Sequence, residues 1–113
     1  MAAIGKVSEK ILEKASDKVN LNKNILVKTS TVNKLLDLVS SGKVDAAIVW
    51  GDAVVWKESK ELKFIPIPEE VNEIKEVWVS HLAFTSNHHN SLKFFDYLKT
   101  KGIPIFKKNG FVQ

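Results

Sequence analysis

The chain predicts an α/β fold built on a parallel βαβ unit, and three stretches carry that expectation. Ala46, Ala47, Ile48, Val49 and Trp50 form an apolar run with no polar residue at alternate positions, the pattern of a central strand covered on both faces. Ile25-Leu26-Val27 is short, branched and strand-favouring. Between them Val32, Leu35, Leu36 and Val39 recur at helical spacing. Strand, helix and strand at this separation imply parallel pairing of 25–28 with 44–50. Gly51-Asp52 breaks the apolar run where the carboxyl end of such a strand opens into a crevice, the usual ligand position in open α/β sheets. Trp50 to Asp52 is therefore the expected functional edge.

Taken in order, Ile4, Val7, Ile11, Leu12, Ala15 and Val19 trace one helical stripe, with Glu9, Lys10, Glu13, Lys14, Asp17 and Lys18 opposite. An amphipathic helix should run to about Val19. Asn20-Leu21-Asn22-Lys23-Asn24 is turn chemistry before the first strand. Thr29-Ser30-Thr31 offers hydroxyls that accept from the free amides of a first helical turn, so one of them caps a helix spanning Val32 to Ser40. Gly42 stops that helix in a left-handed conformation.

Beyond Trp50 a helical turn is expected around Ala53 to Trp56. Leu62 to Ile67 reads as an edge strand, because Pro66 and Pro68 cannot donate to a ladder. Glu69 to Lys75 is an acidic connection. In Val77 to Phe84, Trp78, Ser80, Leu82 and Phe84 alternate with Val77, Val79, His81 and Ala83, which is a strand pattern. Asn87-His88-His89-Asn90-Ser91 supplies caps for a helix carrying Leu92, Phe94, Phe95 and Leu98 and stopping at Gly102. Pro104 opens a last short helix, Ile105 to Lys108, with Gly110 as its stop and Phe111 folding back.

Composition excludes several classes. All 17 basic residues are Lys, and arginine, the fork that reads phosphate and guanine bidentately, is absent. The lysines are scattered among Glu and Asp, so the net charge of +4 describes a solvated surface and no nucleic-acid partner is expected. With Cys 0, disulfides, thiolate catalysis and thiolate metal sites are excluded. No apolar run approaches the ~18 residues needed to span a bilayer, and the first residues lack the pattern of a secretory signal. At 113 residues the chain can bury one modest core or two small lobes.

The order of pieces is similar to a known family. A helix opening on Ala3-Ile4-Gly5, the run TVNKLLDLVSSGKVDAAIVWGDAV, the proline-bounded FIPIPEE and the closing SLKFFDYLKTKGIPIFKKNGF resemble the later part of the molybdate-binding proteins of ABC importers. These belong to the type II periplasmic substrate-binding proteins. The resemblance runs from Ala3 to Phe111; its strongest pieces are the Val32-to-Trp50 spacing before Gly51-Asp52-Ala53 and the F-K-K-x-G-F at 106–111. It implies a two-lobed clamp holding a tetrahedral oxyanion, molybdate or tungstate, between its lobes, with no cofactor and no catalysis.

By that resemblance one amide comes from the turn at Ala3, Ile4 and Gly5, another from Val32 beside Thr31, and a side-chain donor from the position of Trp50. There the family's tyrosine is replaced, so only an indole N–H remains. Helix starts carry free N–H donors and partial positive charge, which agrees independently. The family is about twice as long, so the chain resembles a C-terminal half: residues 1–50 part of the second lobe, 51–60 the crossover, 61–113 part of the first. Uncovered strand edges then imply a homodimer, by strand exchange, or a missing N-terminal half, besides the importer's membrane permease as partner. An extracytoplasmic location follows if the parent is exported, a cytoplasmic one if the chain is full-length.

Each residue also has a plainer reading. Thr29, Ser30 and Thr31 serve as caps whether or not they meet an anion, only the amide of Val32 is free to act, Trp50 is a ligand wall or a core residue, and Asp52 a contact or a turn residue. His88-His89 sits in a turn without carboxylates at ligand spacing, so no metal is expected. Ser80 and His81 point to opposite faces of a strand, which removes a nucleophile–base pair. Alternatives to solute binding are a dimerising α/β module that binds no solute and an effector-sensing domain of the same fold.

Overall fold

Helix α1, Ala3–Ala15, buries Ile4, Val7 and Ile11, which share one face at helical spacing. Ser8 on the same helix donates its hydroxyl to Ile4 O at 2.8 Å, so the polar group is satisfied within the helix. The structure, a computed structural model, describes residues 3–15 and 21–111, and the expected extension of α1 to Val19 lies outside them. A short 3-10 turn at Leu21–Asn24 follows.

Helix α2, Val32–Ser40, has the expected bounds. Thr31 is its cap: the residue is extended (φ −138°, ψ 153°), and its hydroxyl accepts a long bond from Lys34 N at 3.4 Å. The other end closes as a Schellman motif. Gly42 N–H donates to Val39 O and Lys43 N–H to Leu38 O, each at 3.0 Å, with Gly42 at φ +66°. Leu36 is the buried residue of α2, and the helix lies against the second of the two turns that follow Trp50. Those are 3-10 turns at Gly51–Val55 and Lys57–Ser59, joined through buried Ser59. Its hydroxyl lies 2.7 Å from Ala53 O and 2.8 Å from Trp56 O, a single donor shared by two carbonyls.

The expected strands depart from their pattern. Residues 25–29, 46–50, 62–68 and 72–82 run without helix, turn or bend, yet none joins a ladder among the described residues. The parallel pairing of 25–28 with 44–50 is therefore not formed here. Nor is 46–50 covered on both faces: Ala46 is exposed, and Ala47, Ile48, Val49 and Trp50 are half-buried. The physical reason is that a strand is stabilised by its neighbours' hydrogen bonds and side chains, whereas a helix pairs with itself. The run at 77–84 ends two residues early, in a turn closed by Thr85 N–H to Leu82 O at 3.2 Å.

The chain divides into two compact units between Ile74 and Lys75. The crossover expected at 51–60 lies inside the first. That unit is tied by Lys14 to Glu73 at 2.6 Å and Lys28 to Glu9 at 2.7 Å.

In the second unit α3, His88–Tyr97, is capped by Asn87, whose side-chain oxygen accepts from Asn90 N at 3.3 Å. The helix does not stop at Gly102. It widens into a π turn at Leu98–Gly102 and continues as α4, Ile103–Lys108, with Gly102 at helical angles (φ −68°, ψ −42°). Pro104 explains the widening: it has no N–H for Thr100 O, and its ring excludes the regular register there. A second Schellman motif closes α4, with Gly110 at φ +86°, Gly110 N–H on Lys107 O and Phe111 N–H on Phe106 O, both 3.1 Å. The Phe106 and Phe111 rings meet edge to face at 5.2 Å, which is the fold-back expected of Phe111.

Candidate functional site

A trough of about 720 Å3 lies in the first unit. One side of α1 forms its floor through Ile4, Gly5, Ser8, Glu9 and Leu12. Its walls are the segments 24–29, which leaves the 3-10 turn at Asn24, and 43–48, which bends at 43–45, and Leu35 of α2 also lines it. The floor follows from sequence: Gly5 and Ser8 are small, three apart, and lie beside the buried stripe of Ile4, Val7 and Ile11. A helix side built from such residues leaves room above it.

Of the expected ligand residues, Ile4 and Gly5 line this trough together with Thr29. Ala3, Thr31, Val32, Trp50 and Asp52 do not. Ala3 is exposed at the start of α1; Thr31 is occupied as the cap of α2, and Val32 is the half-buried first residue of that helix. Trp50 is half-buried, its carbonyl accepts from Ala53 N at 3.1 Å, and its side chain makes no capping bond. Half-buried Asp52 sits in the 3-10 turn beyond it.

Composition alone does not single out the polar residues that border the trough. Glu9 and Lys43, Lys28 and Asp45 all line it, and the Lys28–Glu9 pair spans α1 and the first wall at 2.7 Å. Two acids and two lysines leave no net charge there. The available signal was the four-residue spacing of Gly5 and Glu9, and of Ile4, Ser8 and Leu12, along one side of α1.

In the second unit, His81 and His88 stack at 5.6 Å between ring centroids, tilted by 49°, and His81 Nε2 is buried with no partner among the described residues. No group of three metal-ligating side chains occurs among the described residues. No helix among them is long and apolar enough to cross a membrane.

Residues 1–112 match the family model of the bacterial extracellular solute-binding proteins, and the chain belongs to that family. A curated relative from Haemophilus influenzae (strain ATCC 51907 / DSM 11121 / KW20 / Rd), named "Putative binding protein", is 32% identical over 111 residues. That alignment covers 97% of this chain and 44% of the relative, so the chain spans less than half the relative's length. No solved structure matches the chain. Binding of a solute, outside the cytoplasm, is what the family does.

Proposed function

We propose that the chain is the solute-holding portion of a type II periplasmic binding protein serving an ABC importer, and that its ligand is a tetrahedral oxyanion such as molybdate or tungstate. The observation that carries this reading is that Ile4 and Gly5, in the first turn of α1, border one trough with Thr29, just ahead of the capped start of α2. First-turn amides have no partner within their own helix and carry the positive end of its dipole, so they hold an anion without a cationic side chain. The neutral balance of side chains around the trough fits such a backbone-based grip. In this reading Ala3, Ile4 and Gly5 donate from α1, Thr31 and Val32 from α2, and Trp50 and Asp52 join them only in the complete clamp, since neither lines the trough.

Family membership supports a binding role and a permease as downstream partner. The chain spans 44% of the relative, and in this reading the clamp also draws on the rest of a family member's length. The test is thermal unfolding with molybdate, tungstate, sulfate and phosphate, of the chain alone and of the chain joined to the rest of a family member. At about 100-fold excess over the dissociation constant, ligand adds about 2.7 kcal/mol to stability. A melting temperature unmoved by all four anions in both forms rejects the oxyanion.

A further inference from the structure

The stop that closes α4 holds a reactive pair of residues. We propose that Asn109–Gly110 is a self-modification site: the backbone nitrogen of Gly110 attacks the side-chain amide of Asn109, and the closed helix end holds this reaction off until it opens.

Sequence carries the first step. Asn occurs eight times in the 113 residues and is followed by Gly once, at 109–110. That position is the reactive one, because glycine has no Cβ to crowd its own nitrogen as it swings toward the preceding side chain. A bond forms from Gly110 N to Asn109 Cγ, and the Cγ–Nδ2 bond breaks. Nδ2 departs as ammonia with the proton that Gly110 N gives up, which leaves a five-membered imide. Water then adds to either imide carbonyl. Opening at Cγ gives aspartate; opening at the backbone carbonyl gives isoaspartate, whose main chain runs through Cβ and Cγ. Either way one water is consumed, one ammonia is released and a neutral amide becomes a carboxylate, with nothing oxidised or reduced.

Geometry carries the second. Asn109 Nδ2 donates to Ile105 O at 2.8 Å and Gly110 N–H to Lys107 O at 3.1 Å, so leaving group and nucleophile are held by different carbonyls. Asn109 has φ −98° and ψ 22°. At that ψ the Gly110 nitrogen nearly eclipses Asn109's own nitrogen, whereas ring closure needs it nearly eclipsed with Cβ. Attack therefore requires the turn to rotate and its bonds to break. Phe111 N–H on Phe106 O at 3.1 Å and the edge-to-face pair of their rings at 5.2 Å resist that rotation. The lock is nonetheless light. Helix α4 has six residues and buries none of them, and Asn109 is exposed, so this end opens readily and water reaches it.

The product does not restore the stop. Aspartate at 109 places a negative charge at the carboxyl end of α4, where the dipole is already negative, and exchanges the donor on Ile105 O for an acceptor. Isoaspartate lengthens the main chain by one methylene, which spoils the spacing that brings Gly110 and Phe111 N–H onto Lys107 O and Phe106 O. Fraying that was reversible becomes permanent, and the site records how long the end of α4 has stood open. No solute enters this argument.

The experiment incubates the full 113-residue chain at mildly alkaline pH, in native buffer and in denaturing urea, and follows the peptide 109–113, released by cleavage after Lys108, by mass spectrometry. The expected result is conversion of Asn109 to a mixture of isoaspartate and aspartate, slower in native buffer than in urea by about tenfold or more. Phe111→Ala, which removes the ring contact, should raise the native rate about threefold or more and leave the rate in urea unchanged. Asn109→Asp, one product made directly, should speed amide exchange at Gly110 and Phe111 about threefold or more. If circular dichroism shows Phe111→Ala unfolded, the wild-type rates and Asn109→Asp decide. Equal rates in native buffer and urea, aspartate without isoaspartate, faster conversion of another Asn in urea, or unchanged exchange in Asn109→Asp would each overturn the proposal.

Discussion

Gly42 and Gly102 are the same residue under opposite constraints. Gly42 is at φ +66° with nothing within 4 Å of the position a Cβ would take, so an added methyl meets only backbone strain. Gly42→Ala should destabilise by about 1 kcal/mol, read as a lower denaturant midpoint at unchanged slope. Gly102 is helical, and its added Cβ would rest 3.6 Å from Leu98 Cδ2 and 3.9 Å from Phe106 Cδ2, ordinary contact distances. Gly102→Ala should stabilise the second unit by about 0.5–1 kcal/mol, because alanine loses less backbone freedom in a helix. Leu36, 2% exposed, is the anchor of α2; Leu36→Ala should cost about 2–4 kcal/mol on denaturant unfolding. Ser59→Ala would leave two carbonyls without their shared donor and should cost about 1–2 kcal/mol by the same measurement.

At the scale of elements, what was legible in the sequence was whatever closes on itself. The bounds of α2, the hydroxyl cap before it, the left-handed Gly42 and the Gly110–Phe111 stop all depend on residues within a few positions, and sequence displays those directly. The strands were legible only as composition. Ala46 to Trp50 reads as a buried strand, but burial and pairing come from elsewhere in three dimensions, and the segment stands half-covered and outside any ladder among the described residues. Gly102 was misleading for a related reason: glycine commonly ends helices, yet here Pro104 two residues on is met by a wider turn and the helix continues. Of the candidate site, the Ile4-Gly5 turn reaches the trough, while Thr31 is engaged as a cap and Trp50 lies outside it. Phe111→Ala should remove the edge-to-face contact with Phe106 and fray the end of α4, a loss of about 0.5–1.5 kcal/mol with faster amide exchange at 109–111.

For the molecule as a whole, the buried apolar set is small: Ile4, Val7, Ile11, Leu36 and Ala53 among the described residues, all in the first unit. In the second unit Trp78, Phe84 and Phe94 are exposed, and α3 buries none of its residues. Exposed apolar surface of this kind marks a face that meets another body. The chain alone should bind the dye ANS strongly, and assembly with the rest of a family member should abolish most of that signal. Trp78 offers a built-in reading of the same event. At 82% exposure its indole is bathed in water and should fluoresce at long wavelength, open to quenching by iodide. A blue shift with loss of quenching would report, without any label, the moment at which the second unit acquires its cover.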